Sequence, residues 1–261
     1  MKQAIISDIH SNLEAFQAVL ADMDALGIDE VYCLGDLIGY GPNPKECVDL
    51  AMKPESKIKV CIMGNHDYAA VYEPGGFNSV AEQAIYWTRE QLERARDSKK
   101  EERLDFVSGQ LKRTYREGDS LFVHGSPKNP TTEYVFKEDI RDSKMEKLFG
   151  LIPHCCFMGH THVPGVFTYD NSPTTVFPYD FISPDQLENN CYKIGSEKVM
   201  INVGSVGQPR DHDPRACYAV LYDGQLLEFR RVSYDIEKTY QKILQIPDLD
   251  NFLGERLKQG R

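Results

Sequence analysis

Short apolar runs alternate with helical patterns along the first third of the chain. Gln3–Ser7 reads as a strand. Asn12–Leu26 reads as an amphipathic helix, with Leu13, Phe16, Val19, Leu20 and Met23 on one face and Gly27 closing it. Val31–Leu34 predicts a second strand, Pro44–Met52 a second helix and Lys57–Met63 a third strand. This β-α-β-α-β order predicts a parallel sheet with right-handed crossovers. A helical middle follows over residues 78–112, with Val80–Arg94 and Lys100–Leu111 as its helices and the charge run Lys99–Arg103 as a solvated face. Leu121–His124 returns to strand, Glu138–Phe149 to helix, and His154–Met158 to a buried strand whose Cys155 and Cys156 face opposite sides. From Val163 onward strands dominate: Val166–Tyr169, Thr174–Phe177, Val199–Asn202, Cys217–Tyr222 and Gln225–Val232. Asp223-Gly224 is a hairpin signal between the last two. Residues 177–195 mix Pro, Asp, Asn and Tyr and read as an excursion from the sheet, a lid or partner surface. Helices Ile236–Gln245 and Leu249–Lys258 close the chain over residues 234–259. No repeat or linker divides it, so 1–261 is expected to form one domain.

Composition narrows the class. Of 261 residues, 41% are hydrophobic and 27% charged, which suits a soluble globular protein. Thirty basic against forty acidic residues give a formal charge of −10. That surface repels DNA, RNA and anionic membranes unless bound metal or a basic patch reverses the field locally. No stable nucleic-acid binding and no membrane association are therefore expected. The N-terminal MKQAIISDIHSN is too short and too polar for a signal peptide or anchor. Seven cysteines without CxxC spacing argue against a disulfide framework and for reduced thiols in a cytoplasmic protein.

The chemistry gathers where strands end. Strand one ends in Ser7-Asp8-Ile9-His10, strand two in Leu34-Gly35-Asp36, and strand three in Gly64-Asn65-His66-Asp67. Two further strands deliver His124-Gly125 and Gly159-His160-Thr161-His162. In open α/β sheets the carboxyl ends of the strands line the ligand crevice, so these distant tips can meet. Asp, His and Asn without thiolate suit Mn, Fe, Co, Ni or Zn. Asp8 and His10, two apart on an extended segment, would point to one side, and His160 and His162 would repeat that geometry. Glycines before Asp36, Asn65 and His160 would let the backbone turn sharply and come close to the ions.

These motifs resemble the calcineurin-like metallophosphoesterase superfamily, in its order and without a missing motif, over roughly residues 1 to 232. Gly35–Pro42 and Asn202–Arg210 are similar to the compact bacterial and archaeal members often called predicted phosphodiesterases. The resemblance implies an α/β (α+β) four-layer α-β-β-α sandwich, two mixed sheets face to face with flanking helices. It assigns Asp8, His10 and His162 to one divalent metal and Asn65, His124 and His160 to a second, with Asp36 bridging. The two ions would be Mn, Fe, Zn, Ni or Co, manganese among them. His66 would face the phosphate and leaving oxygen, with Asp67 fixing its orientation. The implied activity is hydrolysis of small or nucleotide-like phosphate esters, diesters or monoesters, by attack of a metal-bridging hydroxide. A diadenosine polyphosphate hydrolase and a protein serine/threonine phosphatase fit the same motifs. A protein-binding scaffold of this fold is the non-enzyme alternative, and here every ligand type is intact.

Other positions carry two readings each. Asn12 is a helix N-cap or a substrate contact. Arg210 and Arg215 fork onto phosphate oxygens or pair with Asp211 and Asp213. Tyr40 packs in the Gly39–Pro44 turn or borders the substrate. Gly204, Ser205 and Gly207 read as a backbone turn near the metals, and His154 and His212 as structural or surface groups.

Overall fold

The β-α-β-α-β pattern of the first third forms half of a six-stranded sheet. The structure, a computed structural model, describes residues 1–170, 172 and 178–261. Strand β1 (Lys2–Ile6), helix α1 (Leu13–Leu26), β2 (Glu30–Cys33), α2 (Pro44–Ala51) and β3 (Ile58–Cys61) follow in order. β1, β2 and β3 pair in parallel. Helix α1 starts where expected because the Asn12 side chain accepts the Ala15 N–H. It stops at Gly27, whose φ of 64° lies in the left-handed region.

The helical middle holds α3 (Asn65–Val71), α4 (Ser79–Glu93) and α5 (Lys100–Asp105), the last continued by one π-helical stretch, Phe106–Gln110. Then come β4 (Tyr115–Glu117), β5 (Ser120–Phe122), α6 (Lys144–Leu151), β6 (Cys155–Met158) and β7 (Gly165–Tyr169). The chain continues through β8 (Tyr179–Ile182), β9 (Cys191–Lys193), β10 (Val199–Asn202), β11 (Ala216–Tyr222) and β12 (Leu226–Val232) to α7 (Ile236–Leu244) and α8 (Phe252–Glu255). The first sheet runs β3-β2-β1-β11-β12-β9 and the second β4-β5-β6-β10-β7-β8. Both are mixed.

Period-two alternation decides the layers. Ile5, Tyr32, Val60 and Leu227 of the first sheet meet Phe122, Phe157, Val166 and Ile201 of the second in a core between the sheets. Their neighbours Ala4, Ile6, Val31 and Cys33 turn outward beneath Phe16 and Val19 of α1 and Cys47 and Val48 of α2. On the far side Met145, Leu148 and Phe149 of α6 cover Cys156, Met158 and Met200. Each such side chain contributes roughly 1.5–3 kcal/mol on burial. The result is the expected α-β-β-α sandwich, with Cys155 and Cys156 on opposite faces of β6.

Two expectations need correction and a third is untested. Residues 178–195 are not an excursion: they supply β8 to the edge of one sheet and β9 to the edge of the other. The expected strand Thr174–Phe177 lies outside the described residues. The run Lys99–Arg103 is not wholly solvated, because Arg103 is buried and forked onto Asp49 with Asp97 alongside. Among the described residues no helix is long and apolar enough to cross a membrane.

Candidate metal centre

The polar tips converge at the carboxyl ends of β1, β2, β3, β5 and β6. The loops carrying them are stitched together by main-chain bonds: Asp8 N–H donates to Gly35 O, His10 N–H to Asp36 O, and Gly159 N–H to His124 O. The loop after β10 closes the other side, with Val206 and Gly207 N–H donating to Ser7 and Asp8 carbonyls. These segments are not extended, contrary to expectation. Asp8, His10, Asp36, His160 and His162 all have positive φ, between 47° and 67°. L-residues avoid this region at a cost of roughly 1–2 kcal/mol each, and such strain gathers at functional sites. Gly35 turns the chain as expected, with φ at 101°, while Gly64 and Gly159 serve close approach. A Cβ on Gly64 would lie 2.0 Å from an Asp36 carboxylate oxygen, and one on Gly159 would lie 2.0 Å from Ser7 Oγ.

The structure brings all seven sequence-expected ligands together. Asp8 Oδ1 lies 3.2 Å from His162 Nε2, which lies 3.2 Å from His10 Nε2. His124 Nε2 lies 3.0 Å from Asn65 Oδ1, 3.1 Å from His160 Nδ1 and 3.3 Å from Asp36 Oδ2. The same Asp36 oxygen lies 3.6 Å from His10 Nε2, so it faces both groups. Donors sharing one ion at about 2.1 Å stand about 3.0–3.4 Å apart, which is the spacing found except at His10, which lies 3.6 Å from Asp36 and 3.8 Å from Asp8.

Hydrogen bonds fix which nitrogens face inward. His162 Nδ1 must donate to Gln208 O, His124 Nδ1 to Leu34 O, and His160 Nε2 to Thr132 O, since a carbonyl only accepts. In the neutral rings the other nitrogens present lone pairs to the cluster. Each carboxylate is likewise half used: Asp8 Oδ2 accepts His160 N–H and Asp36 Oδ1 accepts His66 N–H. Asp8 Oδ1 is buried without a hydrogen-bond partner. Acceptors thus face acceptors in a dry site, where one proton could serve a single pair and a cation would serve all. The residues fit divalent metal.

The local field agrees. Burial opposes a charge on His124, yet Asp36 and then Asp8 hold its pKa up to about 9. A positive charge is therefore welcome at that point. Burial also opposes ionisation of Asp36, but the His124 and His66 imidazoles hold it well below the ordinary carboxylate range. His160, with less help, is pushed by burial down to about 3.

The remaining expected residues divide. His66 stands beside the cluster, its ring 4.8 Å from His10 and 4.3 Å from Tyr40, with Nδ1 unpartnered. Asp67 does not touch that ring: its carboxylate accepts the Ile38 and Gly64 N–H groups and so fixes the start of α3, which carries His66. Asn12 keeps its N-cap role. It is buried, and its amide is used by Ala15, Gly207, Tyr234 and Thr239. Arg215 forks onto Asp213. Arg210 has no carboxylate partner among the described residues; Gln208 Oε1 holds it over the Tyr40 ring. Ser205 Oγ donates to Asp8 O, placing that turn against the cluster as expected. His154 and His212 stay outside it. Sequence reasoning missed Gln208, and it missed Arg256, which burial and then Arg210's charge depress to about 10. It also missed Tyr134, whose ring stacks on His160 at 3.7 Å.

This constellation has known relatives, and the chain belongs to the calcineurin-like phosphoesterase superfamily, whose domain model matches residues 1–223. It is a metal-dependent phosphoester hydrolase. A metallophosphoesterase of Sphaerobacter thermophilus is similar across 100% of this chain and 99% of its own, with 36% identity and a TM-score of 0.81. The uncharacterised protein MJ0912 of Methanocaldococcus jannaschii is 36% identical over 99% of this chain and 98% of its own. The hypothetical protein PH1004 of Pyrococcus horikoshii shares the fold, with a TM-score of 0.72 at 18% identity over 100% and 98% of the two chains.

Proposed function

We propose that the chain hydrolyses small or nucleotide-like phosphate esters at a centre of two divalent ions. Asp8, His10 and His162 would hold one ion, Asn65, His124 and His160 the other, and Asp36 both. The observation that carries this reading is the single Asp36 oxygen facing His10 on one side and His124 on the other. When bound, two divalent cations would outweigh the Asp8 and Asp36 charges, draw in the phosphoryl oxygens and lower the pKa of a coordinated water towards about 7.

The chain's own groups do the rest. Burial of the cluster excludes bulk water, which strengthens every charge interaction inside it. Arg210, without a carboxylate partner among the described residues, would fork onto a phosphate oxygen. His66 is the proton donor to the leaving oxygen. Burial pushes its pKa down to about 4, with Asp36 pulling the other way, so it rests neutral. The negative charge of an arriving ester would raise it, so the ring would take up a proton from solvent and pass that proton to the departing alkoxide. All seven thiols are free, which suits a reducing cytoplasm.

The test couples elemental analysis of gently purified protein to a substrate screen. Bis-p-nitrophenyl phosphate, p-nitrophenyl phosphate, a dinucleoside polyphosphate and a phosphopeptide cover the ester classes. Two ions of Mn, Fe, Co, Ni or Zn per chain and metal-dependent turnover of a diester or monoester are expected. A protein that binds one ion or none at saturating Mn²⁺, or that turns over nothing in the screen, overturns the proposal.

A further inference from the structure

A line of aromatic rings leads away from the cluster. Tyr134 stacks on His160 with centroids 3.7 Å apart, and Phe136 stacks on Tyr134 at 5.2 Å with the planes 4° from parallel. Residues two apart on an extended segment share a side, and Val135 between them is turned into the core. The backbone therefore commits both rings to one direction. Both remain open to solvent, Tyr134 at 40% and Phe136 at 48% exposure. Single exposed aromatics are ordinary. A parallel stacked pair continuous with a buried polar centre is not.

Phe136 also lines a groove of about 1030 Å³ whose lining includes Thr161 and Arg210. A groove of that size takes a sugar and a base. A planar ring entering it would lie on Phe136 while its phosphate reached Arg210 and the cluster.

We infer that Tyr134 and Phe136 form a stacking platform for a nucleobase, which makes the substrate an ester of a nucleoside. This rests on the proposed phosphoesterase site only for the position of the phosphate. Aromatic platforms bind bases through their π-faces with little regard to sequence, so the platform selects the base-bearing class and leaves the choice of base to the polar groove walls. Tyr134 touches a candidate ligand, so Phe136 is the residue to change.

The experiment is calorimetric titration of the Mn²⁺-loaded protein with adenosine 5′-monophosphate and, separately, ribose 5-phosphate. The two ligands share sugar and phosphate and differ by the base. The parent should bind the nucleotide about 5- to 100-fold more tightly. Phe136→Ala should erase that gap while leaving ribose 5-phosphate affinity alone, and Phe136→Trp should keep it. Equal affinities in the parent, binding of neither ligand, or a Phe136→Ala loss shared by both ligands overturns the platform. Turnover of bis-p-nitrophenyl phosphate separates the two proposals. If the diester is hydrolysed and no gap is seen, only the platform falls; if the gap is present and no ester is hydrolysed, the platform stands and the hydrolytic reading of the site falls.

Discussion

Two buried polar clusters lie on either side of Asn12, and they are built on opposite rules. On one side Glu14, buried on α1, accepts from Lys242 Nζ at 2.7 Å, Lys238 Nζ at 3.2 Å and Thr239 Oγ1 at 3.1 Å, and Lys242 also reaches Asn43. The one carboxylate there is paired with both ammonium groups, and none of these residues has positive φ. On the other side, ring nitrogens of His10, His124, His160 and His162 crowd one another and two carboxylates, on a backbone strained at five of the seven positions. A complete network fastens α7 to α1 and asks for nothing more. An incomplete one, held in place by its surroundings at a cost, is a receptor for a positive charge. Polarity and burial are common to both; satisfaction separates them.

The largest test of that contrast is Asp36→Asn. The amide keeps the shape and the bond to His66 N–H but halves the negative charge at the cluster. Elemental analysis should show metal lost from both positions, with kcat/KM falling beyond the about 10²–10⁴-fold that a missing general acid costs. Retention of two ions and normal turnover would rule out a shared ligand. His66→Ala comes next: kcat should fall about 10²–10⁴-fold on an alkyl ester while metal content stays that of the parent. A p-nitrophenyl ester, whose leaving group needs little protonation, should lose less. Equal losses on both would make His66 a packing residue.

The residues of the candidate centre were legible because each is a chemically distinctive side chain set directly after a short apolar run. Asp8, Asp36, Asn65, His124 and His160 announce themselves in this way. Their geometry was not legible. The extended Asp8–His10 segment expected from spacing is in fact kinked at both residues, because the partner loop that forces the kink lies elsewhere in the chain. The anchors that set the imidazole tautomers are the carbonyls of Leu34, Thr132 and Gln208, and a main-chain acceptor carries no residue signature. Asp67 was read as the partner of its neighbour in sequence, yet it serves two N–H groups, one of them 29 residues away. The fold was readable wherever apolar periodicity is strong. It failed at β8 and β9, edge strands whose half-exposed faces dilute the alternation among Pro, Asp and Asn.

On the satisfied side, Glu14→Gln should cost about 1–2 kcal/mol, between the exposed and fully buried limits for ion pairs, and lower the melting midpoint by about 2–8 °C. Turnover should be intact. Burial works against the Glu14 charge, but the bonds from Lys242 and Lys238 prevail and its pKa lies below the ordinary 4.5. A carboxylate lowered in the folded state stabilises above its unfolded pKa and loses that contribution as pH falls through the folded value. The gap between parent and variant should therefore be full at pH 7 and close below about pH 4.5, read by thermal melts at matched pH. A gap that widened in acid would mean that Glu14 is held protonated, and the cluster would not be the complete network described.

The smallest effect belongs to Arg215→Ala. Arg215 forks onto Asp213 at 2.6 Å, and its side chain is 51% exposed, so the pair is both satisfied and solvated. Solvent screens the attraction, and such pairs contribute about 0–1 kcal/mol. The midpoint should move by less than about 4 °C and KM should not move at all. Arg210 lies five residues earlier on the same loop and lacks any carboxylate among the described residues, so Arg210→Ala supplies the control that should raise KM. Should the two variants raise KM alike, Asp213 does not hold Arg215 away from substrate, and a filled partnership could no longer be taken as the mark of a structural group.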